Sequence, residues 1–338
     1  MGEDLGRRVH GGDPDALPPM ELIVDMELGP LPEILGPAVS GELPALPPVR
    51  TSPIIEELLL RRELLKLRQG EERTQEDVAK ALHWSAAKVI RLEGGKSPLK
   101  KVDLGGLLKY YDVDLEEQAR LEDMRMRAKE PVWWDGYRQH LPDEYQTYLG
   151  YEMGATSLHA TCDALVPELL QTPAYVQHME RSLGKPALAR ILSRVVEGRQ
   201  QRLHGPADPL PQAYILDESV LCRWVGKSRD PALMPVQLDH IASMAEQDHV
   251  DVRVVPFSRG GYSEPPFTLL GFSNLEDFVY EKRQGPAKLT FDPERVDYRQ
   301  IVFDNSLEAA LPPADSQALI REHAANMRAS LDQLPVSR

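Results

Sequence analysis

The segment from Ser85 to Leu92 carries basic and small side chains at positions that fall on one face of a helix. Ser85 is placed to cap this helix, and Val89 and Leu92 would pack inward. The outward face then carries Ala86, Ala87, Lys88 and Arg91. A helix with small and basic side chains on its exposed face can enter the major groove of DNA, where they meet phosphates and base edges.

A second short helix is predicted directly before this one. Thr74 is a suitable N-cap, and Asp77 follows where a carboxylate would complete a capping box. The inward face of this helix is formed by Val78, Ala79 and Leu82. The small Ala79 permits a close crossing of the two helices, and His83 and Trp84 form the turn between them. A helix, a turn and a second helix together predict a helix-turn-helix motif.

The distribution of charge favours a local contact with DNA. A formal net charge of -14 argues against a protein that coats nucleic acid indiscriminately. The segment from Leu60 to Lys101, however, holds eleven basic and six acidic residues. Packed helices with a solvated basic face are the alternative interpretation. They would not require a cap, a crossing alanine and exposed basic residues to coincide, so DNA binding is favoured.

The motifs of this region resemble the XRE family of helix-turn-helix proteins, which includes the lambda and 434 repressors. The resemblance is carried by Leu67-Arg68, Thr74-Gln75, Val78-Ala79, Trp84-Ser85, Lys88-Val89, Arg91-Leu92-Glu93 and Gly95. It covers about the whole of a five-helix domain. It implies that Arg68 and Glu93 form a mostly buried ion pair between the first helix and the recognition helix.

The resemblance also implies a set of DNA-binding residues. Gln75 would meet a phosphate, Lys88 would contact the DNA backbone, and Arg91 would face bases, where arginine can hold guanine O6 and N7. The full set is Gln75, Trp84, Ser85, Ala86, Ala87, Lys88, Arg91 and Lys96. The recognition helix is poor in polar side chains, so discrimination would rest on Arg91 and on DNA shape. Another departure lies before the second helix, where Glu72 and Arg73 replace the family's glycine and apolar residue.

The chain divides into four parts by composition and periodicity. Residues 1–53 form a Pro-rich acidic arm that is predicted to be largely disordered, residues 54–130 the DNA-binding domain, residues 131–330 a second domain and residues 331–338 a tail. The predicted fold class is α+β. An all-α lambda-repressor-like domain is followed by a larger domain of helices and an antiparallel sheet.

Secondary structure in the second domain is predicted from periodicity. Helices are expected over residues 145–162, 173–183, 187–204, 218–225, 231–247 and 315–330. Strands are expected over residues 212–216, 250–255, 267–272, 278–281 and 288–291. Trp133 and Trp134, next to Pro131, are expected to anchor a joint that couples the two domains without being needed for the fold of either.

The second domain resembles the C-terminal domain, formally of unknown function, of actinobacterial WhiJ-like, antitoxin-like regulators. The resemblance is carried by residues 166–175, 216–221, 252–257, 278–281 and 316–320. Glu168 departs from the family's glycine. Polar side chains beside these apolar segments predict a recognition surface for a ligand or partner protein. Its residues would be Gln171, Tyr175, Arg253, Tyr280 and Glu281.

An enzyme is not expected. Asp217 and Glu218 are adjacent acids at a strand-to-helix junction, where capping is favoured over acid/base catalysis. The nine histidines show no ligand spacing in the sequence, and Cys162 and Cys222 are interpreted as buried free thiols. No metal and no cofactor are therefore predicted.

The leading functional hypothesis is a transcriptional regulator that binds double-stranded DNA as a homodimer and senses a small molecule or small protein. The alternative is an antitoxin-like protein that binds a small co-encoded partner and autoregulates through its DNA-binding domain. No apolar run approaches the ~20 residues of a membrane span, and a secretory signal before the domains is not expected. A cytoplasmic protein, associated with the nucleoid when bound to DNA, is expected.

Overall fold

The computed structural model describes residues 52–182, 184, 186–205, 209–260, 264–281 and 288–332. Apart from residues 52–53, the predicted Pro-rich arm lies outside the described residues, and the predicted tail does so beyond residue 332. Two lengths of chain with different architectures follow from residue 52.

The first length of chain is entirely helical. Its helices are α1 (Pro53–Gly70), α2 (Gln75–Ala81), α3 (Ala86–Glu93), α4 (Lys101–Tyr110) and α5 (Leu115–Arg127). Four of these helices have an N-cap residue whose side chain accepts a hydrogen bond from a backbone N–H group. These residues are Ser52, Thr74, Ser85 and Asp114. The core contains Leu60, Leu64, Val78, Val89, Leu104 and Leu121. The predicted capped helices around the turn are confirmed.

The second length of chain mixes helices and strands. Its helices are α6 (Asp143–Gly154), α7 (Pro173–Ser182), α8 (Pro186–Leu203), α9 (Glu218–Cys222), α10 (Leu233–Met244), α11 (Pro293–Ala309) and α12 (Pro313–Asp332). Its strands are β1 (Ser157–Cys162), β2 (Gln212–Asp217), β3 (Val250–Val255), β4 (Phe267–Gly271), β5 (Phe278–Glu281) and β6 (Lys288–Thr290). The α+β class is confirmed.

The sheet is mixed, so the predicted antiparallel sheet is wrong in part. The strand order is β3-β2-β1-β4-β5-β6. Strand β1 is parallel to β2, and β2 is parallel to β3. The pairs β1–β4, β4–β5 and β5–β6 are antiparallel. The parallel half arises because α7 and α8 join β1 to β2, and α9 and α10 join β2 to β3. Such a helical connection returns the chain to the end of the sheet at which the previous strand began, so that the next strand runs in the same direction.

Two elements differ from the sequence prediction. The helix predicted over residues 145–162 ends at Gly154, and Ser157–Cys162 is strand β1. It lies between β2 and β4 and buries Leu158 and Ala160, so its partners on both sides decide its conformation. Helix α11 was not predicted, although Pro293 occupies its first turn as prolines commonly do.

The two faces of the sheet have separate cores. One face places Leu158, Tyr214, Val252 and Phe278 in a large core that also includes side chains of α6, α8, α10 and α12. The other face places Ile215, Phe267, Leu269 and Val279 against Val302 and Phe303 of α11. The alternation along each strand therefore separates neighbouring residues into different environments.

Helix α1 belongs to both cores. Ile55, near its start, is buried in the core of the sheet domain, whereas Leu60 and Leu64 are buried in the helical core. The first turn lies close to α6, where an added Cβ at Gly150 would lie 2.8 Å from the Cβ of Ile54. One continuous helix therefore joins the two domains.

Trp134 is also part of the larger core. Its side chain is 1% exposed and its ring stands at 85° to that of Trp133. Trp133 packs against Gly198 of α8, where an added Cβ would lie 2.7 Å from the indole. The expectation that Trp134 anchors only a joint is wrong, because replacing so buried a side chain would disturb the core of the second domain.

Candidate nucleic-acid interface

Helices α2 and α3 are fixed in place by local hydrogen bonds. Thr74 and Asp77 form a reciprocal capping box at the start of α2. His83 adopts a φ of 54°, and the backbone N–H of Trp84 then donates to the carbonyl of Ala79 at 2.8 Å. Ser85 accepts from the N–H of Lys88 at 3.2 Å and so begins α3. These bonds set the angle at which α3 leaves the turn.

The face of α3 that was predicted to meet DNA is exposed to solvent. Ser85, Ala86, Ala87 and Arg91 are exposed, as is Lys96 just beyond the helix. Ile90 belongs to the same surface and is 52% exposed. Val89 and Leu92 are buried on the opposite side. The structure thus brings five of the eight predicted DNA-binding residues together on one accessible surface.

Arg68 and Glu93 meet as the family resemblance implies. The Nε of Arg68 donates to Oε1 of Glu93 at 2.7 Å, and an Nη group donates to the second oxygen at 3.2 Å. The two side chains are 13% and 15% exposed. Two parallel bonds between a guanidinium and a carboxylate form a strong and directional contact. This pair holds the end of α3 against α1.

Gln75 also contacts Glu93. Its Nε2 donates to Oε2 of Glu93 at 2.6 Å. The side-chain amide therefore completes the Arg68–Glu93 pair in this structure, and the phosphate contact that was expected of it would have to use another group or another rotamer.

Arg61 is a positioning residue that sequence reasoning missed. Its side chain is 8% exposed and donates to the carbonyl of Leu92, to the carbonyl of Ser97 at 3.0 Å and to Glu57. It thereby binds the carbonyl of Leu92 at the end of α3, where intrahelical partners run out, and that of Ser97 just beyond the helix. Nothing local in the sequence distinguishes Arg61 from the neighbouring Arg62, which is 31% exposed.

Lys88 is placed differently from the expectation that it contacts DNA. Its Nζ lies 2.6 Å from Oδ1 of Asp103 and 3.7 Å from the centre of the Trp84 ring. The ammonium group thus already has a carboxylate and an aromatic face as partners. Trp84 is half-buried, and its ring packs against the ammonium group of Lys88. Asp103 lies on α4, and no pattern in the sequence predicted that it would pair with Lys88.

The predicted recognition surface of the second domain is not assembled. Four of its members, Gln171, Tyr175, Tyr280 and Glu281, are buried at 1% to 9% exposure. Tyr280 stacks on Tyr148 with ring centres 4.3 Å apart, and Gln171 donates to the carbonyl of Val166 at 2.7 Å. These contacts stabilise the fold, so assigning these side chains to a surface is wrong.

Arg253 is separated from the other four residues. It lies on the edge strand β3, where it binds Asp251 at 2.9 Å. Tyr280 and Glu281 follow each other on β5 and therefore point to opposite faces of the sheet. Glu281 accepts a hydrogen bond from Arg299 at 2.8 Å. No single surface can include all five side chains.

A buried ionic network lies between α6 and α8 and was not predicted. Arg199 and Glu152 are each 3% exposed and share two hydrogen bonds, of 2.8 Å and 2.5 Å. Arg199 also donates to Glu168 at 2.6 Å and to the hydroxyl of Tyr145 at 3.1 Å. Burial raises the pKa of Tyr145 well above its ordinary value. Glu168, the departure from the family pattern, therefore serves as a second carboxylate for Arg199.

Two histidines that are distant in sequence also meet. Nδ1 of His204 lies 2.9 Å from Nε2 of His249. Burial, with His249 and His240 nearby, lowers the pKa of His204 to about 4. The expectation that the histidines do not cluster was based on sequence spacing and did not anticipate this contact.

The geometry of α2 and α3 and the mixed sheet that follows define a class: a DNA-binding helix-turn-helix protein with a C-terminal α+β domain. A family model described as a helix-turn-helix domain matches residues 59–121. A model of the domain of unknown function DUF5753 matches residues 145–322. The chain belongs to this DUF5753 family. No curated protein and no solved structure matches it. Among the described residues, no helix is both long and apolar enough to cross a membrane.

Proposed function

We propose that this protein is a sequence-specific transcriptional regulator of the cytoplasm that acts by binding rather than by catalysis. The observation that carries the proposal is the α3 surface, where Arg91 and Lys96 are exposed while α3 itself is held by Arg61 and the Arg68–Glu93 pair. A well-held helix with an exposed guanidinium can read guanine in the major groove. The operator is to be found by genome-wide footprinting of the full chain.

Replacing Arg91 by alanine tests this function. The variant should keep its fold, because Arg91 is exposed, and should lose about 1 to 3 kcal/mol of binding free energy at particular bases of the operator. Titrations of operator and scrambled duplexes measure the difference. Arg120→Ala, which removes an exposed arginine of α5, is the matched control and should leave operator preference unchanged. An equal loss on both duplexes for Arg91→Ala would contradict the assignment.

A second variant tests the position of Lys88. Asp103→Asn removes the carboxylate that Lys88 binds, so the ammonium becomes available to a phosphate. Affinity for any duplex should rise, and the slope of log affinity against log salt should steepen by about 0.9. Glu116→Gln changes the net charge equally at an exposed site of α5 and is the control. If both variants steepen the slope alike, the effect comes from net charge and Lys88 has no such role.

We propose further that the working species is a homodimer that contacts its partner through α5. One short recognition helix gives little affinity, and dimers solve this by binding two half-sites about 34 Å apart. Leu115 and Met126 are 83% and 56% exposed, and their spacing of eleven residues on α5 places them on one helix face. Large exposed apolar side chains on one face favour an interface.

The double variant Leu115→Glu, Met126→Glu is expected to sediment as a monomer at concentrations where the parent chain is a dimer. Its affinity for a complete operator should fall, while its affinity for a half-site should not. Val236→Glu alters another exposed apolar residue, 54% exposed on α10, and should leave the dimer intact. A parent chain that sediments as a monomer both alone and on DNA would refute the dimer.

The sheet domain is proposed to receive a ligand or a partner protein and to pass the signal to the DNA-binding domain along α1. The support is the position of this helix, whose first turns lie in one core and whose later turns lie in the other. Arg62 of α1 adds a second connection, since it forms an ion pair with Glu276 and lies 5.7 Å from the centre of the Phe291 ring. A ligand acts through α1 if its affinity differs between two positions of the helix.

A further inference from the structure

Glu218, Cys222 and His323 converge where α9 packs against α12. Glu218 and Cys222 are four residues apart on α9 and therefore share one face of that helix. His323 lies on α12 between them, with Nε2 3.3 Å from Oε1 of Glu218 and Nδ1 4.0 Å from Sγ of Cys222. One ligand atom from each residue lies within 4.8 Å of the other two.

We propose that these three side chains bind a divalent transition-metal ion, with Zn²⁺ as the ion that fits best. Thiolate sulfur, imidazole nitrogen and carboxylate oxygen are the ligands that Zn²⁺ takes in proteins, at about 2.0 to 2.3 Å from the ion. Ligands at that radius lie about 3.3 to 3.8 Å apart in a tetrahedron. One ligand atom from each of the three residues lies within 4.8 Å of the other two, so small side-chain rotations would bring them to this spacing. Three protein ligands leave the fourth position to water.

The surroundings of the cluster favour a cation. A thiolate and a carboxylate balance the charge of a divalent ion, and Asp217 adds a further negative charge nearby. Cys222 is exposed, so the sequence prediction of a buried thiol is wrong at this position, and the sulfur is accessible to an ion from solution. The carboxylates of Glu218 and Asp217 attract a metal ion, which deprotonates a coordinated thiol.

Glu218 is also oriented for coordination. Its Oε2 accepts a hydrogen bond from the backbone N–H of Phe257 at 2.7 Å, which leaves Oε1 directed toward His323. Coordinating carboxylates in metal sites are commonly held by such outer hydrogen bonds. The ion would join the segment after β2 to the C-terminal helix α12.

Cobalt binding to the full chain tests the site. The chelator-treated protein is titrated with Co²⁺, and one equivalent should produce the near-ultraviolet charge-transfer band of a thiolate bound to cobalt. Zn²⁺ should displace the cobalt and abolish the band. Cys222→Ser should remove the band and weaken Zn²⁺ binding by more than about 100-fold, since the loss of an outer partner alone costs about 10- to 100-fold.

Two further variants make the result specific. Glu218→Gln retains an acceptor for the N–H of Phe257 but loses the carboxylate charge, and should weaken Zn²⁺ binding while the band persists at high cobalt. Cys162→Ser alters the other cysteine and should behave as the parent chain. Circular dichroism of the metal-free variants verifies that they are folded. An absent band in the parent, or a band that survives Cys222→Ser or disappears in Cys162→Ser, would overturn the proposal.

Discussion

Replacing Arg199 by alanine should lower the free energy of unfolding by about 3 to 5 kcal/mol. Arg199 and Glu152 are each 3% exposed, and the guanidinium binds both oxygens of that carboxylate. Without it, Glu152 would be a buried charge with no counter-ion among the described residues, and Glu168 would lose its bond to Arg199 as well. Chemical denaturation of the purified variant, followed by circular dichroism, measures the loss.

The control for this result lies on the same helix. Arg194 pairs with Glu197 but is 70% exposed, so Arg194→Ala should change the stability by less than about 1 kcal/mol. The double variant Arg199→Ala, Glu152→Gln should lose less than Arg199→Ala alone, because no unpaired carboxylate then remains at position 152. Comparable losses for Arg199→Ala and Arg194→Ala would show that the buried network has no special energetic importance.

The helix-turn-helix motif could be predicted because its signals are local. Thr74 caps the N–H of Asp77 three residues away, and Ser85 caps that of Lys88 in the same way. Such short-range bonds form wherever the sequence places them, so the bounds of α2 and α3 follow from a few residues. The exposed face of α3 follows in turn from the burial of Val89 and Leu92.

The mixed sheet could not be predicted in the same way. Strand β1 is central, and its parallel partner β2 begins fifty residues after β1 ends, at Gln212. The sequence of β1 does not by itself exclude that α6 continues through these residues. Pairing across such separations is decided by tertiary contacts that override local propensity.

The contacts of individual polar side chains were the least predictable. Lys88 lies on the same face of α3 as Arg91, but its ammonium group forms an ion pair with Asp103 of α4. Tyr280 and Glu281 looked like surface polar groups, yet each lies in a core with a specific partner on another element. The partner of Tyr280 is Tyr148, far away in sequence. A pattern of residue types carries no information on which distant groups will meet.

The close packing of α1 against α6 should make the substitution Gly150→Ala destabilising. In Gly150→Ala the new methyl group would lie 2.2 Å from Cδ1 of Ile54 and 2.8 Å from its Cβ. Rotation of the Ile54 side chain cannot relieve the second contact, because the Cβ moves only with the backbone. The first turn of α1 must therefore move away from α6, at a cost of about 1 to 3 kcal/mol in stability.

Gly105→Ala provides the matched control, since it is also a helical glycine but its added Cβ meets nothing within 4 Å. It should stabilise the protein by up to about 1 kcal/mol through helix propensity. Shortening Ile54 in the double variant Gly150→Ala, Ile54→Ala should recover part of the loss, whereas Ile54→Ala alone should only destabilise. If α1 carries the signal between the domains, Gly150→Ala will also change operator affinity although position 150 is remote from α3. An unchanged affinity, with the stability lost as expected, would mean that the helix joins the two cores without transmitting between them.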